Sequence, residues 1–190
     1  MVNGIILYYT LSNGAKGDNP EFRKMLAEMD DAVIPQAEIH ADGGYDSWET
    51  YSDVFLKTGK VMAGNPGCNA VHHPEFGWKN LLKRYNRLHG ERGFVPAGNA
   101  KPMFILRFLA NHGHKEAVGM FLRNLDIARG KKARAENARR RHICETVHHG
   151  MKRWVDFTVR GLHSKYVGAT LFLRLFVCTL LCVLFSPYKG

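Results

Sequence analysis

The chain has 190 residues, 45% of them hydrophobic, enough for one domain with a proper core or one domain with an inserted lobe. Lysine and arginine number 27 against 17 acidic residues, and the net charge of +10 favours an anionic partner, either nucleic acid or an anionic membrane surface. Four cysteines without regular spacing argue against a disulfide framework and for a cytoplasmic protein with reduced thiols, and Met1 leads into a β-like run with no signal peptide.

Val2 to Leu11 is rich in β-branched and aromatic residues and stops at Ser12-Asn13-Gly14, which predicts a strand and a turn. Pro20 then opens a helix with a stripe of Phe22, Met25, Leu26 and Met29, and Asp18 is read as its cap. Gln36 to Ala41 predicts a short strand ending at Asp42, with a tight turn at Gly43-Gly44. Asp46 and Glu49 have capping-box spacing for a helix through about Leu56, and Lys60 to Gly64 reads as a further strand. A carboxylate at the carboxyl end of a strand projects into the crevice where α/β folds bind ligands, so Asp42 is the candidate metal ligand and Asp46 the helix cap.

From Asn65-Pro66-Gly67 the pattern changes and predicts an insertion running to about Gly130. Within it, Trp78 to Arg92 interleaves basic residues, Lys83 and Arg84 among them, with Trp78 and Tyr85; such a stretch suits a phosphate backbone or a solvated basic helix. Helices over Pro102 to Asn111 and about His114 to Ala128 follow, their repeated Phe, Leu and Met reading as core contacts. The last two segments are a helix over Ala138 to Trp154 and an apolar run from Val167 to Phe185. On the first, Arg141, Glu145, His148 and Lys152 share a polar face opposite Ile143, Val147, Met151 and Trp154. The second reads as a buried C-terminal helix, because Arg174 interrupts it as a membrane span. The histidine and cysteine groups fit no zinc spacing, and there is no phosphate-cradling glycine loop with a lysine and no nucleophile elbow.

The spacing of Arg141, Glu145 and Lys152, together with the segment ADGGYDS from Ala41 to Ser47, resembles two motifs of the DDE transposases of prokaryotic insertion sequences, in the same order. Ala138 stands where that family usually has a tyrosine. The resemblance implies an α/β, ribonuclease H-like fold, a mixed sheet flanked by helices, with core segments 1–64 and 131–190 around a mainly helical insertion at 65–130. It implies that Asp42 and Glu145 hold Mg²⁺ or Mn²⁺ in a two-metal site that clamps the attacking and leaving oxygens of a phosphoryl transfer. Arg141 and Lys152 would contact DNA phosphate or orient Glu145. The partner would be DNA, with no small-molecule cofactor, and the active form a homo-oligomer. The family's first aspartate belongs on the first strand, yet Val2 to Leu11 contains no acidic residue. The expectation is a truncated chain, lacking that strand and inactive alone. Two other readings are a basic DNA-binding protein without catalysis and, less favoured, a membrane-associated protein anchored at Val167 to Phe185.

Overall fold

The computed structural model describes residues 17–30, 38–67, 69–91, 101–154, 172–173 and 175–177. Among the described residues up to 154, the helices are, in chain order, α1 (Asp18–Glu28), α2 (Trp48–Thr58), α3 (Trp78–Glu91), α4 (Pro102–Asn111), α5 (Lys115–Ala128) and α6 (Gly130–Trp154). Two short 3₁₀ turns, Gly43–Tyr45 and Pro74–Phe76, precede α2 and α3. The helices up to Asn137 belong to one compact unit, Lys16–Asn137. Its core is built from Tyr51 and Phe55 of α2, Leu81 and Tyr85 of α3, Leu109 of α4, and Val118 and Leu122 of α5.

The expected mixed sheet is not what forms. Helix takes up 74% of the described residues, and no sheet occurs among them. The two segments predicted as strands, Gln36 to Ala41 and Lys60 to Gly64, meet in a single parallel bridge between His40 and Ala63. Its hydrogen bonds run from Ala63 N to Ile39 O at 3.0 Å and from Ala41 N to Ala63 O at 2.8 Å. Beside the bridge, side chains from α5 and α6 hydrogen-bond to the backbone of both segments. Asn137 of α6 donates to the carbonyls of Ala63, at 3.0 Å, and Ala41, at 3.4 Å, while the amide of Gly64 donates to Asp126 of α5 at 2.8 Å. Pro66 has no amide hydrogen to offer. The predicted strand Val2 to Leu11, and with it the missing first strand, lies outside the described residues.

The helix starts also differ from expectation. Gly17, not Asp18, occupies the N-cap of α1, and Asp18 sits inside the first turn, where the helix dipole favours its charge. α2 begins one residue later than the predicted capping box allows: Ser47 is the N-cap and accepts the Thr50 amide at 3.3 Å. That leaves Asp46 one position too early to cap, and it turns to Arg123 instead. α2 ends at Gly59, whose φ of 71° suits a residue without Cβ. α4 has the bounds its sequence predicts, and α6 starts eight residues before the predicted Ala138.

Most of Val167 to Phe185 lies outside the described residues, but 172–173 and 175–177 are helical. Phe172, Leu173, Phe176 and Val177 are exposed, so the burial expected of this stretch does not hold for them. No helix among the described residues is long and apolar enough to cross a membrane.

Candidate nucleic-acid interface

Each predicted site residue except Lys152 has a defined local setting. Asp42 is exposed and caps the Gly43–Tyr45 turn, its Oδ1 accepting the Gly44 amide at 2.9 Å. Burial, then the charges of Asp18 and Asp42, push the Tyr45 hydroxyl above its ordinary pKa, so both carboxylates lend this corner a negative field. Glu145 is paired within α6: Oε1 lies 2.9 Å from Arg141 Nη2, and Oε2 lies 3.6 Å from His142 Nδ1. Arg141 and Glu145 thus meet at i,i+4 spacing. The side chain of Lys152 lies outside the described residues. Lys83 is exposed on α3, and the Arg84 guanidinium sits 5.9 Å from the centroid of Phe76.

The fit to a divalent cation is poor as the side chains stand. Carboxylate oxygens are the right donors for Mg²⁺ or Mn²⁺, but both oxygens of Glu145 already face nitrogen groups and Oδ1 of Asp42 is engaged by an amide. Among the described residues no group of three or more histidine, cysteine or acidic side chains could hold a metal ion. Asp42 belongs to the Lys16–Asn137 unit, whereas Glu145 lies beyond it.

A cationic surface sits on the part of α6 that precedes the predicted acidic face. Gly130, Ala133, Arg134, Asn137 and Arg141 recur at helical spacing and are buried or half-buried. Asn137 is the anchor: besides its two carbonyl acceptors, its Oδ1 lies 2.7 Å from Nδ1 of His40. Turning this face inward turns Lys131, Lys132 and Arg139 outward, all exposed and within about 100° of one another on the wheel, with Arg140 further round and Glu136 between. The repeated cations of GKKARAENARRR are the signal that a helix start placed at Ala138 misses.

A second group unforeseen in the sequence lies on α5. Arg123 forks onto Asp46, Nε to Oδ1 at 2.6 Å and Nη2 to Oδ2 at 2.8 Å, and donates to Val71 O at 3.0 Å. That pairing raises the Arg123 pKa further. Asn124 both accepts from and donates to the His73 backbone, at 3.0 and 2.7 Å. Asp126, four residues after Leu122 on the apolar face, is 4% exposed and accepts from Tyr51, Gly64 and Arg129. These contacts hold α5 to α2 and to the loop before α3. No family model matches the chain, and comparison with characterised proteins and with solved structures finds no match either.

Proposed function

We propose that this chain acts on DNA as a transposase-type protein and that it grips the duplex backbone along the exposed cationic stripe of α6. The observation that carries the reading is the stripe itself: Lys131, Lys132 and Arg139 project from a helix whose opposite face is fixed by Asn137. Closely spaced cations along one helix release condensed counterions from DNA, which drives binding without regard to sequence. The resemblance at Ala41 to Ser47 and Arg141 to Lys152 supports the narrower assignment, in which Asp42 and Glu145 are the carboxylates given to Mg²⁺ or Mn²⁺ and the setting is the cytoplasm. A second reading, DNA binding without strand cleavage, is favoured by the engagement of both Glu145 oxygens with Arg141 and His142.

Fluorescence anisotropy with a labelled duplex tests the backbone contact. Replacing Lys131, Lys132 and Arg139 together by alanine should weaken binding for every sequence and flatten the plot of log K against log salt by about 3, one unit per lost phosphate contact. An unchanged slope rejects the stripe. Calorimetry with Mn²⁺ on the wild type, Asp42→Asn and Glu145→Gln separates the two readings. Heat lost in both variants supports the metal assignment; a folded wild type that takes up no Mn²⁺ leaves DNA binding alone.

A further inference from the structure

Phe104, Phe108 and His112 follow one another at four-residue spacing on α4, so their rings form a row along one face. Phe108 and His112 stack with centroids 4.0 Å and planes 23° apart, and Phe104 continues the row at 6.3 Å and 31°. α3 stiffens it from behind. Tyr85 meets Phe108 edge-on at 5.2 Å, His89 lies 5.3 Å from the same ring, and His112 Nδ1 lies 2.7 Å from Phe108 O. The row runs from a half-buried His112 to Phe104, which is 54% exposed.

Cations flank the open ring along its own helix. Lys101 and Arg107 flank Phe104 at three-residue spacing on either side, and Lys83 and Arg87 of α3 are exposed. His114, just past the end of α4, is held below the ordinary histidine pKa by burial and then by Arg84, Arg87 and His112. The two guanidiniums therefore cast a positive field at the His112 end of the row, the end opposite Phe104.

An exposed ring backed by packed rings, with cations beside it and at the far end of the row, matches the chemistry of an unpaired nucleic-acid strand, whose bases offer π faces and whose phosphates offer charge. A duplex keeps its bases stacked on each other and has no use for the ring. We propose that the α3–α4 face is a second nucleic-acid site, which takes an unpaired strand by stacking a base on Phe104 and pairing phosphates with Lys101 and Arg107 beside that ring and with Arg84 and Arg87 towards the His112 end of the row. This site is independent of the α6 stripe.

Anisotropy of the full chain with short oligo(dT), oligo(rU) and a duplex of equal length tests it and separates DNA from RNA as the source of the strand. Phe104→Ala should weaken the tighter single-stranded ligand about tenfold and leave the duplex unchanged, and Phe104→Tyr, which keeps a π face, should restore binding. Unchanged single-strand affinity, or an equal loss for the duplex, overturns the proposal. Should the alanine variant not fold, Phe104→Trp decides: emission above the wild-type background quenched by the single strand supports the site, and unquenched emission rejects it.

Discussion

Gly119→Ala is expected to destabilise the protein by about 3 kcal/mol, a fall of roughly 6–12 °C in melting temperature at this chain length. Alanine in place of glycine inside a helix ordinarily stabilises by about 1 kcal/mol, because it lowers the entropy lost on folding. Here the packing term wins. Gly119 of α5 lies against the first turn of α2, and a Cβ built on it falls 2.8 Å from the Trp48 carbonyl carbon, closer still to the Trp48 oxygen, and 3.3 Å from Ser52 Cβ. Backbone does not swing aside as a side-chain tip does, so the two helices must separate, and the buried faces of Tyr51, Phe55, Val118 and Leu122 separate with them. Gly90, exposed near the end of α3 with nothing within 4 Å of its Cβ position, is the control: Gly90→Ala should hold or raise the melting temperature. Thermal melts followed by circular dichroism decide the matter. A Gly119→Ala variant as stable as the wild type would show that α2 and α5 do not pack this closely.

Replacing Asp126 should have a comparable effect, graded by what each substitution leaves behind. Oδ2 accepts from the Tyr51 hydroxyl at 2.7 Å and the Gly64 amide at 2.8 Å, and Oδ1 accepts from Arg129 at 3.2 Å. Tyr51 is fully buried. Asp126→Ala strands a hydroxyl and an amide away from water and removes the partner of a cation, a loss of about 3–5 kcal/mol. Asp126→Asn keeps an acceptor in the Oδ2 position and loses only the link to Arg129, which is 38% exposed and can turn to solvent, so about 1–2 kcal/mol is expected. Tyr51→Phe, which leaves Asp126 two donors, should also cost about 1–2 kcal/mol. Urea titration of the three variants gives the order, and an Asp126→Ala no worse than Asp126→Asn would remove the network from the account of stability.

The same network makes a statement about pH. Burial, the Asp126 charge and the hydrogen bond to it all push the Tyr51 hydroxyl well above its ordinary value of 10.0. The folded state therefore favours the protonated phenol. Its contribution is present in full below about pH 10, where the unfolded tyrosine also keeps its proton, and is lost as the pH climbs beyond that. Tyr51→Phe should flatten the alkaline limb of the stability curve.

Much of the helical structure is legible in the chain because its signals are local. The stripe at Phe22, Met25 and Leu26, the proline that opens α4 and the apolar repeats of α5 follow from one helix facing one core, and α4 forms at its predicted bounds. The basic character of α3 and α6 is legible too, since charge on an exposed face needs no partner to be read. Asp42 does stand at the end of an extended segment followed by a tight turn, and Arg141 with Glu145 does share a helix face.

What the sequence determined by itself, then, is where helices form, which of their faces are apolar, and that the outer surface is strongly cationic. The tertiary structure decided whether the two extended segments become a sheet. Their β-branched and apolar residues suit strands, but a sheet needs further strands to take the remaining backbone groups, and here Asp126 of α5 holds the Gly64 amide and Asn137 of α6 adds a second donor to the Ala63 carbonyl that the bridge uses. The tertiary structure also decided that Asp46 is an ion pair rather than a cap, that Gly119 is a point of helix contact and that Asp126 is buried. Each of these depends on which residue lies opposite across 60 or more positions of chain, such as Arg123 over Asp46 or Tyr51 over Asp126, and a pattern of period 3.6 or 2 carries no information about that.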